Sequence, residues 1–306
     1  GEGMSMPLRQ VVVLSGKGGT GKTTMTAGFA CYAGKQVIAD CDVDASNLSL
    51  LLQGEVRSST PFIGGLKAWI DPDRCSRCGK CEEHCRFSAI KDLKVDSMAC
   101  EGCGVCHIVC PSGAVELSEA VSGDIFVRDT PYGTVVDADM LPGEPNSGKL
   151  AARVRAVARE EAMLQGASLV LVDGPPGTGC PVISSITGTD LAIIVTEPTV
   201  SGGHDLSRVV DLADHFGIPC AIIINKHDLN PAQSEDIERE CARREITIVG
   251  RLPFDELVGE AIINGQPLPV YAPGSPAEIA LRDTWENIMA LLDRTPPGGL
   301  VRLKGL

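Results

Sequence analysis

Two groups of residues have types and spacings that can do chemistry. The first is eight of the thirteen cysteines. Cys75, Cys78, Cys81 and Cys85 follow the spacing C-x2-C-x2-C-x3-C, and Cys100, Cys103, Cys106 and Cys110 repeat it, with Pro111 next. Structural zinc takes four ligands as two separated pairs, which eight evenly repeated cysteines do not match. A disulfide framework belongs to secreted chains. The doubled run predicts two [4Fe–4S] clusters. The second group is the loop Gly16-Lys17-Gly18-Gly19-Thr20-Gly21-Lys22-Thr23, followed by Thr24. It matches G-x-x-x-x-G-K-[ST]. Glycines let backbone N–H groups converge on a phosphate, and the positive end of a following helix dipole assists. Lys22 is expected on the β- and γ-phosphates and the Thr23 hydroxyl on Mg²⁺.

Carboxylates and a switch segment complete this second group. Asp40, Asp42 and Asp44 follow the apolar run Gln36–Asp40, and Asp173 ends another at Leu169–Asp173. Acids at strand C-termini lie where open α/β sheets bind ligands. Asp173 is read as a second Mg²⁺ group and Asp44 as a surface or turn residue. Asn225-Lys226-His227-Asp228 follows a further strand, with Asn225 expected to read the base. The same four residues fit the guanine motif N-K-x-D, which keeps GTP open beside ATP. ATP is read over GTP because the other motifs are of the ATPase type.

These residues need a rigid frame. Short apolar runs at 10–15, 36–40, 169–173, 191–195, 220–224 and 246–249 read as strands buried on both faces. Helical stretches are expected at about 22–33, 149–165, 202–216, 233–244 and 276–293. Alternation of this kind predicts a mostly parallel sheet flanked by helices. The cysteines form an inserted small α+β domain at 64–119, flanked by short strands. The nucleotide domain is then discontinuous, 1–63 and 120–306, with residues 124–148 as a return loop.

The motifs resemble the deviant Walker A ATPases: MinD, ParA, Mrp-type Fe–S ATPases and the nitrogenase iron protein. The resemblance extends to Val195–Thr199 and Ala261–Pro267 and covers nearly all 306 residues. It implies an α/β P-loop fold and an ATP-bound homodimer in which Lys17 reaches the partner's phosphates, as an arginine finger does. It also implies that Asp42 orients or deprotonates the attacking water, that Gly177 contacts the γ-phosphate and that Pro253 and Asp255 close over the base. The cysteine run resembles two-cluster ferredoxins, in which the fourth cysteine of each quartet crosses over. That resemblance implies Cys75, Cys78, Cys81 and Cys110 at one cluster and Cys100, Cys103, Cys106 and Cys85 at the other. Arg86 replaces the proline that often follows the fourth cysteine; a cation there would raise the potential of that cluster. His84 and His107 are left outside the ligand set. Cys31, Cys41, Cys220 and Cys241 read as packing groups. Cys180 lies where the iron protein of nitrogenase has a ligand to a shared cluster, a minority alternative.

The function expected is a slow, partner-stimulated ATPase that couples its nucleotide state to electron transfer with another protein. An Fe–S or metal-cofactor assembly carrier is the alternative, and a membrane-positioning switch ranks third because the tail Leu300–Leu306 is short. A net charge of −13 without a long basic run argues against nucleic-acid binding. No apolar run reaches the roughly 18 residues of a membrane span. Gly1–Met6 does not read as a signal peptide, and a cytoplasmic setting is expected.

Overall fold

The computed structural model describes residues 7–144 and 146–297. The opening Gly1–Met6 and the tail Leu300–Leu306 lie outside the described residues. The strands are β1 (Arg9–Ser15), β2 (Gln36–Asp40), β3 (Glu55–Ile70), β4 (Ile90–Lys91), β5 (Lys94–Val95) and β6 (Val115–Thr130). They continue with β7 (Gly133–Met140), β8 (Leu169–Pro176), β9 (Leu191–Thr196), β10 (Cys220–Asn225) and β11 (Thr247–Leu252). The helices are α1 (Lys22–Tyr32), α2 (Leu48–Leu52), α3 (Lys80–Glu83), α4 (Val105–Val109), α5 (Ser147–Gln165) and α6 (Cys180–Ile186). After them come α7 (Val200–His215), α8 (Pro231–Arg243), α9 (Glu256–Ile263), α10 (Leu268–Tyr271) and α11 (Pro276–Arg294).

A nine-stranded sheet runs in the order β11-β10-β9-β1-β8-β2-β7-β6-β3. Its first seven strands are mutually parallel. In β1, Val12 and Leu14 pack into one apolar layer and Val11 and Val13 into the other. A strand covered on both faces needs apolar residues at every position, which is why these runs do not alternate. Helices α5 and α7 contribute to the first layer and α1 and α11 to the second, the expected mostly parallel α/β sandwich.

The far edge of the sheet departs from expectation. Residues 124–148 are not a return loop: they hold the end of β6, all of β7 and the start of α5. The signal was masked by Asp137 and Asp139 inside β7. Asp137 is only 3% exposed and is held by Arg128 Nε of β6 at 2.8 and 3.0 Å. Pairing of this kind lets a carboxylate occupy a buried strand position. The strands flanking the cysteines are not short either. β3 and β6 pair antiparallel along almost their whole length, from Glu55 opposite Asp129 to Ile70 opposite Val115. The expected boundaries at 64 and 119 fall inside these two strands. β7 covers β6 only from Gly123 to Thr130. The remainder of the β3–β6 ribbon therefore projects beyond the end of β7 as a two-stranded arm. Because β7 lies parallel to β2 and ends there at Met140, the arm leaves from the carboxyl edge of the parallel strands. At its tip, Ala68, Ile70, Ala89, Ile90 and Val115 form a third apolar cluster with Cys81, Cys100 and Cys106.

Candidate nucleotide and cysteine sites

The glycine loop joins the end of β1 to the start of α1 and lines a cleft of about 770 Å³. Gly19 and Gly21 adopt φ of +80° and +89°, the left-handed region that glycine enters without strain. A Cβ on Gly21 would also come within 2.6 Å of Asn225 Nδ2. Lys22 is 6% exposed and donates to Asp173 Oδ1 at 3.0 Å. The Thr23 hydroxyl donates to Asp173 Oδ2 at 2.7 Å, and Lys22 Nζ lies 3.7 Å from Asp42 Oδ2. Burial alone would lower the Lys22 pKa, but the carboxylates of Asp173, Asp42 and Asp40 outweigh it and hold the ammonium above its ordinary value. Thr20 Oγ1, within the glycine loop itself, is buried with no hydrogen-bond partner, its bonding capacity unspent.

The acids of the cleft differ in their surroundings. Asp40 is fully buried and accepts from Ser46 Oγ, Asp42 N and Leu48 N at 2.8, 3.1 and 3.2 Å. It therefore anchors the segment between β2 and α2. Burial, reinforced by repulsion from Asp173, pushes its pKa up to about 7. Asp42 is also raised, first by burial and against the pull of Lys22. Asp44, expected at the surface, is exposed and lines the cleft. Gly177 has φ +88° and its N–H donates to Ser15 O at 2.8 Å. Lys17 Nζ turns onto its own chain, 3.3 Å from Thr199 Oγ1, 3.4 Å from Ser201 Oγ and 3.9 Å from Glu197 Oε2.

Around the base region, Asn225 Nδ2 donates to Thr20 O at 2.8 Å, so the residue braces the loop. Asn225 and Pro253 line a small apolar pocket with Met25, Leu252 and Leu281. Asp255 caps α9, accepting from Leu257 N at 3.0 Å, and also accepts from Ala277 N at 3.3 Å. Asp228 accepts from Phe254 N at 2.7 Å. Both carboxylates thus hold loops together. Thr26 went unnoticed in the sequence: its hydroxyl lies 3.0 Å from Asp173 Oδ1 and from Lys22 O. The signal was there, since Thr26 follows Thr23 by one helical turn and shares its face. Glu197 was quoted only as family sequence, yet it pairs with Lys226 at 2.7 Å and approaches Lys17.

The cysteines separate into two kinds. Burial pushes Cys31, Cys41 and Cys220 up to about 12 and Cys241 up to about 11, as for inert packing thiols. Cys85 lies in one pocket with Cys100, Cys103 and Cys106, although Cys85 belongs to the other quartet in sequence. Cys110 neighbours Cys78 and Cys81 closely enough for its charge to act on both thiols. Cys78 is held low by the N–H of Lys80 and then the Ser76 hydroxyl. At Cys110 burial pushes the thiol up, but hydrogen bonds from Ser112, Ala114 and Val115 overcome it and leave it at about 7. Burial raises Cys81 and Cys106 instead. Metal ligands must be thiolates, and of these four cysteines two are shifted towards that form and two away from it. Among the described residues, no group of three His, Cys, Asp or Glu side chains converges to hold a single metal ion. The four thiols that share one pocket, Cys85, Cys100, Cys103 and Cys106, are donors of the chemical kind a cluster would need. Arg86 lies 5.5 Å from the Phe87 ring centroid. His84 Nδ1 and His107 Nδ1 are engaged with the carbonyls of Lys80 and Val115. Cys180 is exposed at the first turn of α6.

A glycine loop between a buried strand and a helix, with its lysine and threonine gathered on a strand-end aspartate, defines a P-loop nucleotide-binding α/β protein. The family profile described as CbiA, the CobQ/CobB/MinD/ParA nucleotide-binding domain, matches residues 11–268, and the chain belongs to that family. An uncharacterized protein of Methanocaldococcus jannaschii is 34% identical over 226 residues, covering 73% of this chain and 80% of the relative. The cell division ATPase MinD of Pyrococcus furiosus superposes with a TM-score of 0.58 at 21% identity, covering 92% of this chain and 99% of that one. The septum site-determining protein MinD of Pyrococcus horikoshii OT3, solved with Mg-ADP, gives 0.58 at 18% identity, with 93% and 97% covered. These two likenesses establish the shared fold. Among the described residues no helix is long and apolar enough to cross a membrane.

Proposed function

We propose that this chain is an ATP-binding and ATP-hydrolysing dimeric switch that carries two [4Fe–4S] clusters and couples its nucleotide state to electron transfer with a partner protein. One observation carries the reading: a P-loop with Lys22, Thr23 and Asp173 in mutual contact shares a chain with a pocket that gathers Cys85, Cys100, Cys103 and Cys106. The Mg-ADP held by the P. horikoshii relative supports the nucleotide half.

In this reading Lys22 exchanges Asp173 for phosphate oxygens, and the freed carboxylate holds Mg²⁺ with the Thr23 hydroxyl. Asp42, beside Lys22, orients or deprotonates the attacking water. The Gly177 N–H exchanges Ser15 O for the γ-phosphate, and Lys17 leaves Thr199 and Ser201 to reach the partner protomer's phosphates. Gly16, Gly18, Gly19, Thr20, Gly21 and Thr24 supply the cradle, and Asn225 and Pro253 border the base. Asp255 acts on the base only indirectly, through the α9 cap it forms. The first cluster is assigned to Cys75, Cys78, Cys81 and Cys110, the second to Cys100, Cys103, Cys106 and Cys85. When bound, such clusters store and pass single electrons. Residues 64–119 are assigned to the redox insert and 1–63 with 120–306 to the ATPase, in a reducing, cytoplasmic setting.

The test is anaerobic purification followed by iron and sulfide analysis, Mg·ATP binding, and ATP turnover with an apo acceptor present. Two clusters correspond to about eight iron atoms per chain. Retention of iron during ATP turnover supports electron gating. Transfer of iron to the acceptor overturns it in favour of the assembly-carrier alternative. Neither iron nor nucleotide binding overturns the whole reading.

A further inference from the structure

One partly buried seam joins the cysteine segment to the nucleotide-binding layer. Lys67, on the projecting part of β3, donates from Nζ to the carbonyl of Cys100 at 3.0 Å. The same ammonium pairs with Glu144 Oε1 at 3.2 Å, and both side chains are 14% exposed. The second oxygen of Glu144 accepts from Ser122 Oγ of β6 at 2.9 Å. Glu144 belongs to the turn after β7, which is fastened to the arm by Leu141 N to Ser122 O at 2.9 Å. The seam is closely fitted. Gly102, in the loop that carries Cys100 and Cys103, has φ +62°, and a Cβ there would collide with Leu66 O. On the nucleotide side α5 begins at Ser147, shortly after Glu144 in sequence. Gly148, in the first turn of α5, lies against Cys180 at the start of α6: a Cβ on it would sit 3.2 Å from the Cys180 Cβ. Helix α6 follows directly from β8, which carries Asp173, and from Gly177.

We propose that the Lys67–Glu144 pair is the electrostatic coupling between the nucleotide site and the second cysteine quartet. This rests on the cluster-binding reading above and adds to it the residues that carry the signal. Lys67 is a positioning residue: it grips the main chain of a ligand rather than the sulfur. A cation beside that carbonyl favours the more negative, reduced state of a group bound there, and Glu144 cancels part of its charge. Partial burial keeps both charges effective at short range. Nucleotide binding replaces the contacts of Asp173 and Gly177 and shifts α6. Because α6 abuts the first turn of α5, Glu144 is drawn from Lys67, and the uncompensated cation raises the reduction potential of the second quartet's cluster. The linkage is reciprocal, so reduction tightens Mg·ATP.

The test uses the full chain purified anaerobically as wild type, Glu144→Gln, Lys67→Met and the charge swap Lys67→Glu with Glu144→Lys. Iron content is measured first. The potentials of both clusters are then titrated by electron paramagnetic resonance, with and without Mg·ATP. In the wild type, Mg·ATP raises the potential of one cluster only. Without nucleotide, that cluster titrates higher in Glu144→Gln and lower in Lys67→Met, and both variants lose the response to Mg·ATP. The swap recovers part of it. Glu116→Gln, which breaks the exposed Arg74–Glu116 pair, keeps the full response. Should Lys67→Met lose iron, Glu144→Gln still decides the matter, since Lys67 remains in place. A wild type with about eight iron atoms whose potentials ignore Mg·ATP overturns the coupling, as do variants that retain the shift. A wild type without iron defeats the functional reading itself, which is a separate outcome.

Discussion

Lys17 offers the most direct way to test the dimer switch. In this structure its ammonium is occupied at home, bonded to Thr199 Oγ1 and Ser201 Oγ at 3.3 and 3.4 Å with Glu197 at 3.9 Å. To act on a partner's phosphates it must give these contacts up. Its side chain is 33% exposed, and ion pairs this open contribute about 0.2–1 kcal/mol each. The three contacts together hold Lys17 by about 1 kcal/mol. Glu197→Gln combined with Ser201→Ala removes most of that hold and keeps the shape of the loop. Thr199 is left intact because its hydroxyl also caps α7 through Gly202 N at 3.0 Å. Each dimer releases two such sets of contacts, one per protomer, so the double variant gains at most about 2 kcal/mol of dimerisation free energy, up to roughly a thirtyfold lower dissociation constant. Sedimentation of ATP-loaded protein at low salt measures it, and added salt shrinks the difference by screening. Lys17→Ala abolishes the ATP-dependent dimer. If the double variant and the wild type dimerise with the same constant at low salt, the home contacts do not compete with the partner and the reasoning fails.

Three other outcomes follow from the same geometry. Gly21→Ala forces a side chain into the left-handed region, at about 1–2 kcal/mol, and onto Asn225; calorimetry will show weaker Mg·ATP binding in a chain that remains folded. Arg155→Met removes the guanidinium that joins Gln10 Oε1 to the carbonyls of Ser184 and Ser185 at 3.0, 2.9 and 3.2 Å. The buried carbonyl of Ser185 then loses a donor, at about 1–3 kcal/mol, and the partly buried one of Ser184 loses one at less cost, read as a lower melting temperature. The last is a pH effect in metal- and nucleotide-free protein. Asp40 has its folded pKa raised to about 7 from an ordinary 3.8, so the native state holds a proton that the unfolded state releases. Its contribution is fully present below pH 3.8 and is lost as the pH rises to about 7, where it levels off. Melting temperatures of wild type and Asp40→Asn will diverge across that window; parallel profiles would refute the assignment.

The parallel half of the fold was legible because burial on both faces leaves a plain trace. Val11–Leu14, Leu169–Val172 and Leu191–Val195 are uninterrupted apolar runs, and each became a central strand. The edge was illegible for the same physical reason in reverse. Most of β3 is exposed, with Arg57, Ser58, Ser59 and Thr60 in its first half, so no face of it is uniformly apolar. In β7 a buried carboxylate breaks the run, and only the cross-strand Arg128 makes that tolerable. At the candidate site the loop residues could be located from their spacing, since the places of Gly21 and Lys22 between β1 and α1 are set by local geometry. Their standing contacts could not. Lys17 on Ser201, Gly177 on Ser15 and Asp255 on Ala277 are long-range pairings. No motif encodes them, because they depend on which strands lie side by side.

The topology of the arm constrains how any signal can travel. A flexible tether would let the cysteine segment move independently of the nucleotide. Here the segment hangs on two continuous strands of sixteen residues each, whose inner halves are part of the sheet. The ladder between the two strands ties the segment to the sheet, with register shifts at Phe62–Gly65 where the arm leaves it, the kind of irregularity that bends a strand pair locally. The arm also leaves at the carboxyl edge of the parallel strands, the same edge where Asp40, Asp173 and the glycine loop stand. A second protomer closing over the phosphates would approach that edge and meet the arm. The coupling must therefore act at close quarters, through the few places where the arm touches moving loops. The turn at Leu141–Glu144 is such a place. It bonds the arm through Ser122 and Lys67, and the helix that abuts α6 begins shortly after it in sequence. In the proposed coupling a long-range change of fold is unnecessary: a small displacement of α6 would act on one ion pair beside the second quartet.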